Sequence, residues 1–105
     1  SAERAVAGLD ELPDAIVSVN DFMALGVVNH LTSRGISVPD RVQVTGFDDC
    51  VFAVSSPVPL TTVRQDIGAL ADKTVALLQK EMAGETSGRE VILIPTDVVT
   101  RRSTK

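Results

Sequence analysis

Apolar residues recur along this chain in alternating helical and strand-like patterns. Ala2, Ala5, Val6 and Leu9 form a short helical stripe that ends before Pro13. Residues 15–19 (AIVSV) are a nearly continuous apolar and β-branched run, the pattern of a parallel-sheet strand covered on both faces. Asn20 then stands in an N-cap position and Asp21 suits the positive end of a helix dipole. Ala24, Val27, Val28 and Leu31 repeat at helical spacing, which predicts a helix over 21–34 that Gly35 stops. A short connection over 36–40 leads into 42–47 (VQVTGF), where Val42 and Val44 alternate with polar residues as in a second strand. Strand, helix and strand joined so briefly make a βαβ unit, for which a right-handed crossover is expected.

Downstream, residues 48–59 (DDCVFAVSSPVP) lack a sustained period and predict a loop with at most one helical turn. Residues 60–64 (LTTVR) are β-prone. The longest predicted helix runs over 66–82, about 26 Å at the usual rise per residue. Ile67, Leu70, Ala71, Thr74, Leu77, Leu78 and Met82 lie on one side of it, with Gly84 as its stop, and that apolar face needs a partner. A polar turn over 85–89, a strand over 91–94 (VILI) broken by Pro95, and a last strand over 97–100 complete the pattern. Arg101, Arg102 and Lys105 read as a solvated basic tail.

Composition narrows the function. In 105 residues, 44% are hydrophobic and 23% charged, the make-up of a globular segment long enough for one domain. With 14 acidic against 10 basic residues the formal charge is −4, so no broad phosphate-binding surface exists and nucleic acid is not expected as a direct ligand. The single Cys50 cannot form an internal disulfide or anchor a Cys/His metal cluster. No apolar run approaches the roughly 18 residues that span a bilayer, and the opening residues lack the basic and apolar regions of a signal peptide. A cytoplasmic protein with no metal and no membrane partner is the expectation.

In an open α/β sheet, ligands collect outside the carboxyl ends of the strands. Asn20 follows one strand in this way, and Asp48 and Asp49 follow the next. An amide beside a carboxylate offers donors and acceptors for the hydroxyls of a sugar or the N–H groups of a base, which is recognition chemistry. The same residues equally suit a plain N-cap and a loop cap. His30 lies mid-helix without a nucleophile or carboxylate at a suitable spacing, and Cys50 suits a small packed residue better than a nucleophile. Phe22 and Met23 suit a core or an interface. Paired carboxylates could hold Mg²⁺ for phosphoryl transfer, but that chemistry wants a lysine at another strand end. Lys73 and Lys80 lie inside the long helix and Lys105 in the tail, and neither a phosphate-cradling glycine loop nor a Gly-x-Ser-x-Gly elbow occurs. No enzyme and no cofactor is expected.

Four motifs in order carry a resemblance: ND-x-MALG from Asn20 to Gly26, VPD-x-V-x-V-x-GFDD from Val38 to Asp49, P-LTTVRQD from Pro59 to Asp66, and VVTRRST from Val98 to Thr104. With them the stretch from about Pro13 to Thr104 resembles the carboxyl-terminal part of the LacI/GalR bacterial transcription regulators. The resemblance implies an α/β fold, an incomplete parallel-sheet lobe of the periplasmic-binding-protein-like (type I) kind. Residues 1–105 would be the latter part of an effector-binding domain, the helix over 66–83 would belong to the other lobe, and the DNA-binding head would be absent. The implied effector contacts are Asn20, Asp48 and Gln65, to a sugar or related polar metabolite. The implied homodimer uses the first βαβ helix and the loop after GFDD, with Phe22, Leu25, Val28, Cys50, Phe52 and Ser56 at the interface, and operator DNA would be reached only through the missing head. A transport binding protein of the same fold is the alternative; LTTVRQD and the RRST ending favour the regulator.

Overall fold

The computed structural model describes residues 1–9, 11–85 and 88–105. Although the length allows one domain, the chain forms two compact units: Ser1–Arg64 with Asp97–Lys105, and Gln65–Thr96.

In the first unit, helix α1 (Ala2–Ala7) is capped by the Ser1 hydroxyl, which accepts from the Arg4 amide at 3.4 Å. Strand β1 (Ala15–Val17) pairs in parallel with β2 (Gln43–Thr45), Ile16 opposite Val44. Helix α2 (Asp21–Ser33) crosses between them and buries Ala24, Val27, Val28 and Leu31, the stripe its spacing predicts. Its end is a Schellman motif: the Gly35 amide donates to Thr32 O and the Ile36 amide to Leu31 O, both at 3.0 Å, with Gly35 at φ +72°. The core gathers these residues with Val6, Val42, Val44, Ala53 and Leu60. Helix α1 lies on α2 beside Gly26, where an added Cβ would meet Ala2 Cβ at an ordinary contact distance of 3.7 Å.

The predicted loop over 48–59 contains α3 (Val51–Ser55), whose Ala53 is fully buried. Strand β3 (Thr62–Gln65) runs beside β2 in parallel, through bridges Thr45–Thr61 and Asp48–Arg64, and pairs with β4 (Thr96–Val99).

Three expectations are corrected. β1 is not covered on both faces: alternation turns Ile16 to the core and leaves Val17, on the opposite face, 84% exposed. The run over 91–94 forms no strand; Val91 and Leu93 are exposed and Pro95 follows them. The basic tail is not simply solvated. Ser103 is fully buried, and its hydroxyl donates to Val44 O at 2.6 Å while accepting from the Thr61 amide at 2.8 Å, so the chain end closes over the β2–β3 seam. The polar turn over 85–89 lies partly outside the described residues.

The second unit is built on α4 (Ile67–Met82), capped by Asp66 through the Ala69 amide at 2.8 Å and closed by a second Schellman motif at Gly84. None of its residues is buried, and Ile67, Leu70, Leu78 and Met82 of the predicted stripe are exposed.

Candidate functional site

Three polar devices shape the carboxyl ends of β1 and β2. First, the backbone brings the two strand ends together. The amide of Asp21 donates to the carbonyl of Phe47 at 2.9 Å, so the peptide group after Asn20 is bonded to the peptide group before Asp48. Asn20 Oδ1 caps α2 by accepting from the Met23 amide at 2.9 Å, which leaves its Nδ2 donor without a partner among the described residues. The capping and recognition roles of Asn20 are therefore compatible.

Second, Asp21 is a fully buried carboxylate whose two oxygens are separately satisfied. Oδ1 accepts from Thr62 Oγ1 at 2.6 Å, and Oδ2 accepts from the Cys50 amide at 2.9 Å. Gly46 makes this approach possible, since a Cβ there would lie 3.1 Å from Asp21 Cα and collide with the carboxylate. The glycine of the GFDD motif is thus a steric requirement of the helix start opposite it.

Third, Asp48 and Asp49 both have positive φ, +101° and +52°. Asp48 is exposed, and its amide donates to Val63 O at 2.9 Å. Asp49 is the buried member of the pair, its side chain 8% exposed. Its Oδ1 accepts from Arg101 Nη2 and its Oδ2 from Arg64 Nε, each at 2.6 Å. Burial pushes the Asp49 pKa up, but the hydrogen bonds and charges of the two guanidinium groups outweigh it and hold the carboxyl below its usual range.

Gln65 ends β3 and begins the second unit, where it is half-buried. Cavity size does not locate the polar pair. A depression of about 430 Å³ between α1 and α2 is lined by Ala2, Phe22, Leu25 and Gly26, and one of about 230 Å³ lies over Val17, Thr45, Thr61, Val63 and Val98. Neither includes Asn20 or Asp48. Among the described residues, no group of three or more His, Cys, Asp or Glu side chains could hold a metal ion, and no helix is long and apolar enough to cross a membrane.

The expected interface residues divide. Phe22, 64% exposed, stacks edge-to-face on Phe52 with ring centroids 5.3 Å apart, joining α2 to α3. Val51 and Val54 of α3 are also exposed, and Leu25, Cys50 and Phe52 are half-buried. Val28 is corrected: it is fully buried in the α2 stripe and reaches no surface. Ser56 is only 5% exposed, with its hydroxyl unpaired among the described residues. His30 sits on α2 with Nε2 buried and likewise unpaired.

Sequence reasoning missed Asp21, Thr62, Arg101 and Ser103 as organisers of this region. Asp21 reads as an ordinary first-turn acid, Thr62 as a strand former and Arg101 as tail. The usable signal was their recurrence inside the four motifs.

A family model described as "periplasmic binding protein-like domain" matches residues 1–104. The repressor PurR of Mannheimia succiniciproducens is 35% identical over 97 residues, covering 92% of this chain and 29% of that protein. The regulator MalR of Streptomyces coelicolor is 34% identical over 104 residues, covering 99% of this chain and 30% of its own length. Among solved structures, a LacI-type transcription regulator from Bifidobacterium animalis superposes with a TM-score of 0.85 at 37% identity, covering all of this chain and 39% of that one. The transcriptional regulator CelR in complex with cellobiose superposes with a TM-score of 0.80 at 30% identity, over 86% of this chain and 28% of the other. The chain thus spans less than a third of the length of these curated relatives. The parallel βαβ unit, the ordered motifs and these similarities together place the chain in the periplasmic binding protein-like domain family, where the proteins it is similar to include LacI-type transcriptional regulators.

Proposed function

We propose that this chain is the effector-sensing and dimerising part of a LacI-type transcriptional regulator. The observation that carries the reading is the backbone hydrogen bond from the Asp21 amide to the Phe47 carbonyl at 2.9 Å, which sets Asn20 and Asp48 side by side at the carboxyl ends of neighbouring parallel strands. Asn20 Nδ2 supplies a donor and the Asp48 carboxylate supplies acceptors, a pairing suited to adjacent hydroxyls of a sugar or related polar metabolite. Gln65 is assigned as a third contact. The cellobiose, sucrose and glucose complexes of structural relatives support the sugar class.

In this reading α4 (Ile67–Met82) serves the opposite lobe, which accounts for the absence of burial along its stripe. The Phe22–Phe52 face, with Leu25 and Cys50, meets its equivalent on a second copy, and operator DNA is bound through a separate head, in the cytoplasm. The charge of −4 on this segment supports delegating DNA contact elsewhere. Effector occupancy would act by shifting the population of core conformations that set the geometry of paired heads.

A thermal-shift screen of the full-length protein with glucose, sucrose and cellobiose tests the sensing role. At least one sugar should raise the melting temperature in a saturable way, since a ligand of the native state stabilises by mass action. Flat responses to all three count against a sugar effector.

A further inference from the structure

Two consecutive non-glycine residues at positive φ are energetically unfavourable, because each Cβ crowds a neighbouring carbonyl. Such a conformation persists only where the surroundings over-determine it. Around Asp48 and Asp49 they do. The Asp48 amide is held by Val63 O at 2.9 Å, the Asp49 amide by Thr62 Oγ1 at 3.4 Å and the Cys50 amide by Asp21 Oδ2 at 2.9 Å. These three bonds fix the backbone, and the strongest side-chain anchor is the Asp49 carboxylate between Arg64 and Arg101.

The origin of those two arginines matters. Arg64 is the last residue before Gln65–Thr96 begins, and Arg101 lies two residues beyond β4, on the segment that returns from it. Arg101 is further fixed by donating to Leu60 O at 3.0 Å. One carboxylate therefore ties both connecting segments to the residue adjoining Asp48.

We propose that Asp49 is a positioning residue: gripped by Arg64 and Arg101, it holds Asp48 in its left-handed, effector-ready conformation and links that conformation to the two segments joining the units. The proposal rests on Asp48 being an effector contact, and its regulatory sense is that any displacement of either segment reaches the effector residue through one side chain. Asp49 itself need not touch the effector.

Site-resolved hydrogen exchange on this chain tests the positioning directly. Asp49→Asn should accelerate exchange at the Asp48 and Cys50 amides by about tenfold, with Val44 and Leu31 keeping their protection. Asp49→Glu, which keeps the charge, should restore part of it. If Asp49→Asn unfolds the chain, Arg64→Gln decides instead, because that side chain is 58% exposed and its loss spares the core. It should accelerate the same two amides by about threefold. Unchanged exchange at both amides in the folded variants overturns the proposal. Cellobiose, sucrose and glucose titrated into the full-length protein separate this from the effector reading. If Asp48→Ala weakens binding, Asp49→Asn should weaken it comparably, and parental affinity in Asp49→Asn overturns the positioning role. If Asp48→Ala leaves binding unchanged, the effector assignment fails, while the exchange data still decide whether Asp49 sets the Asp48 backbone.

Discussion

The carboxylate of Asp21 and the hydroxyl of Thr62 meet at 2.6 Å in the fully buried seam between the start of α2 and β3. This contact joins two of the four sequence motifs, and with the bond to the Cys50 amide it satisfies a charge that has no access to water. A buried carboxylate is tolerable only when its lone pairs are met.

Asp21→Ala should therefore destabilise the fold by about 2–4 kcal/mol, since it strands a buried hydroxyl and a backbone amide. Thr62→Val should cost about 1–3 kcal/mol by leaving one carboxylate oxygen unmet. The double variant should cost less than the sum, because both changes remove the same contact. Urea unfolding of the four proteins checks this, and strict additivity would contradict the shared bond.

The Asp49 cluster sets a pH signature. Because folding lowers this carboxyl's pKa, its contribution to stability is complete above the ordinary value of 3.8 and is lost as pH falls through the lower folded value. Asp49→Asn should thus be less stable than the parent near neutrality, and the gap should narrow progressively as pH falls below 3.8. Unfolding midpoints measured from pH 7 down to pH 3 check it; a constant gap would show that the ion pairs are not its source.

The Phe22–Phe52 pair leaves Phe22 exposed, and Val51 and Val54 of α3 are exposed as well. Burying such side chains is worth about 1.5–3 kcal/mol each. In the proposed dimer this face meets its equivalent, so Phe22→Asp should lower the sedimentation coefficient to that of a monomer with little change in unfolding midpoint, since the side chain is 64% exposed. An unchanged sedimentation coefficient would remove this face from the interface.

The periodic elements were legible because their burial follows their period. The α2 stripe, its Asn20 cap and its Gly35 stop are all local signals, and the structure reproduces them. What escaped was long-range. Ser103 fills a gap between Val44 and Thr61, and Arg101 reaches Asp49 across 52 residues of sequence, so neither leaves a periodic trace. The run over 91–94 misled because strand propensity reports fitness for a pleated, half-buried surface, and Leu93 finds none here. Within the site, Asn20 and Asp48 were readable from their place at strand ends, whereas the order imposed by Asp21 and Asp49 depends on partners remote in sequence.

Asn20 and Asp48 are proposed to recognise a polar effector together. Isothermal titration of the full-length protein with the sugar that stabilises it, compared across Asn20→Ala and Asp48→Ala, tests this most directly. Each variant should lose roughly 1–3 kcal/mol of binding, a factor of about 5–150 in affinity, while remaining folded. Parental affinity in both folded variants would contradict the account.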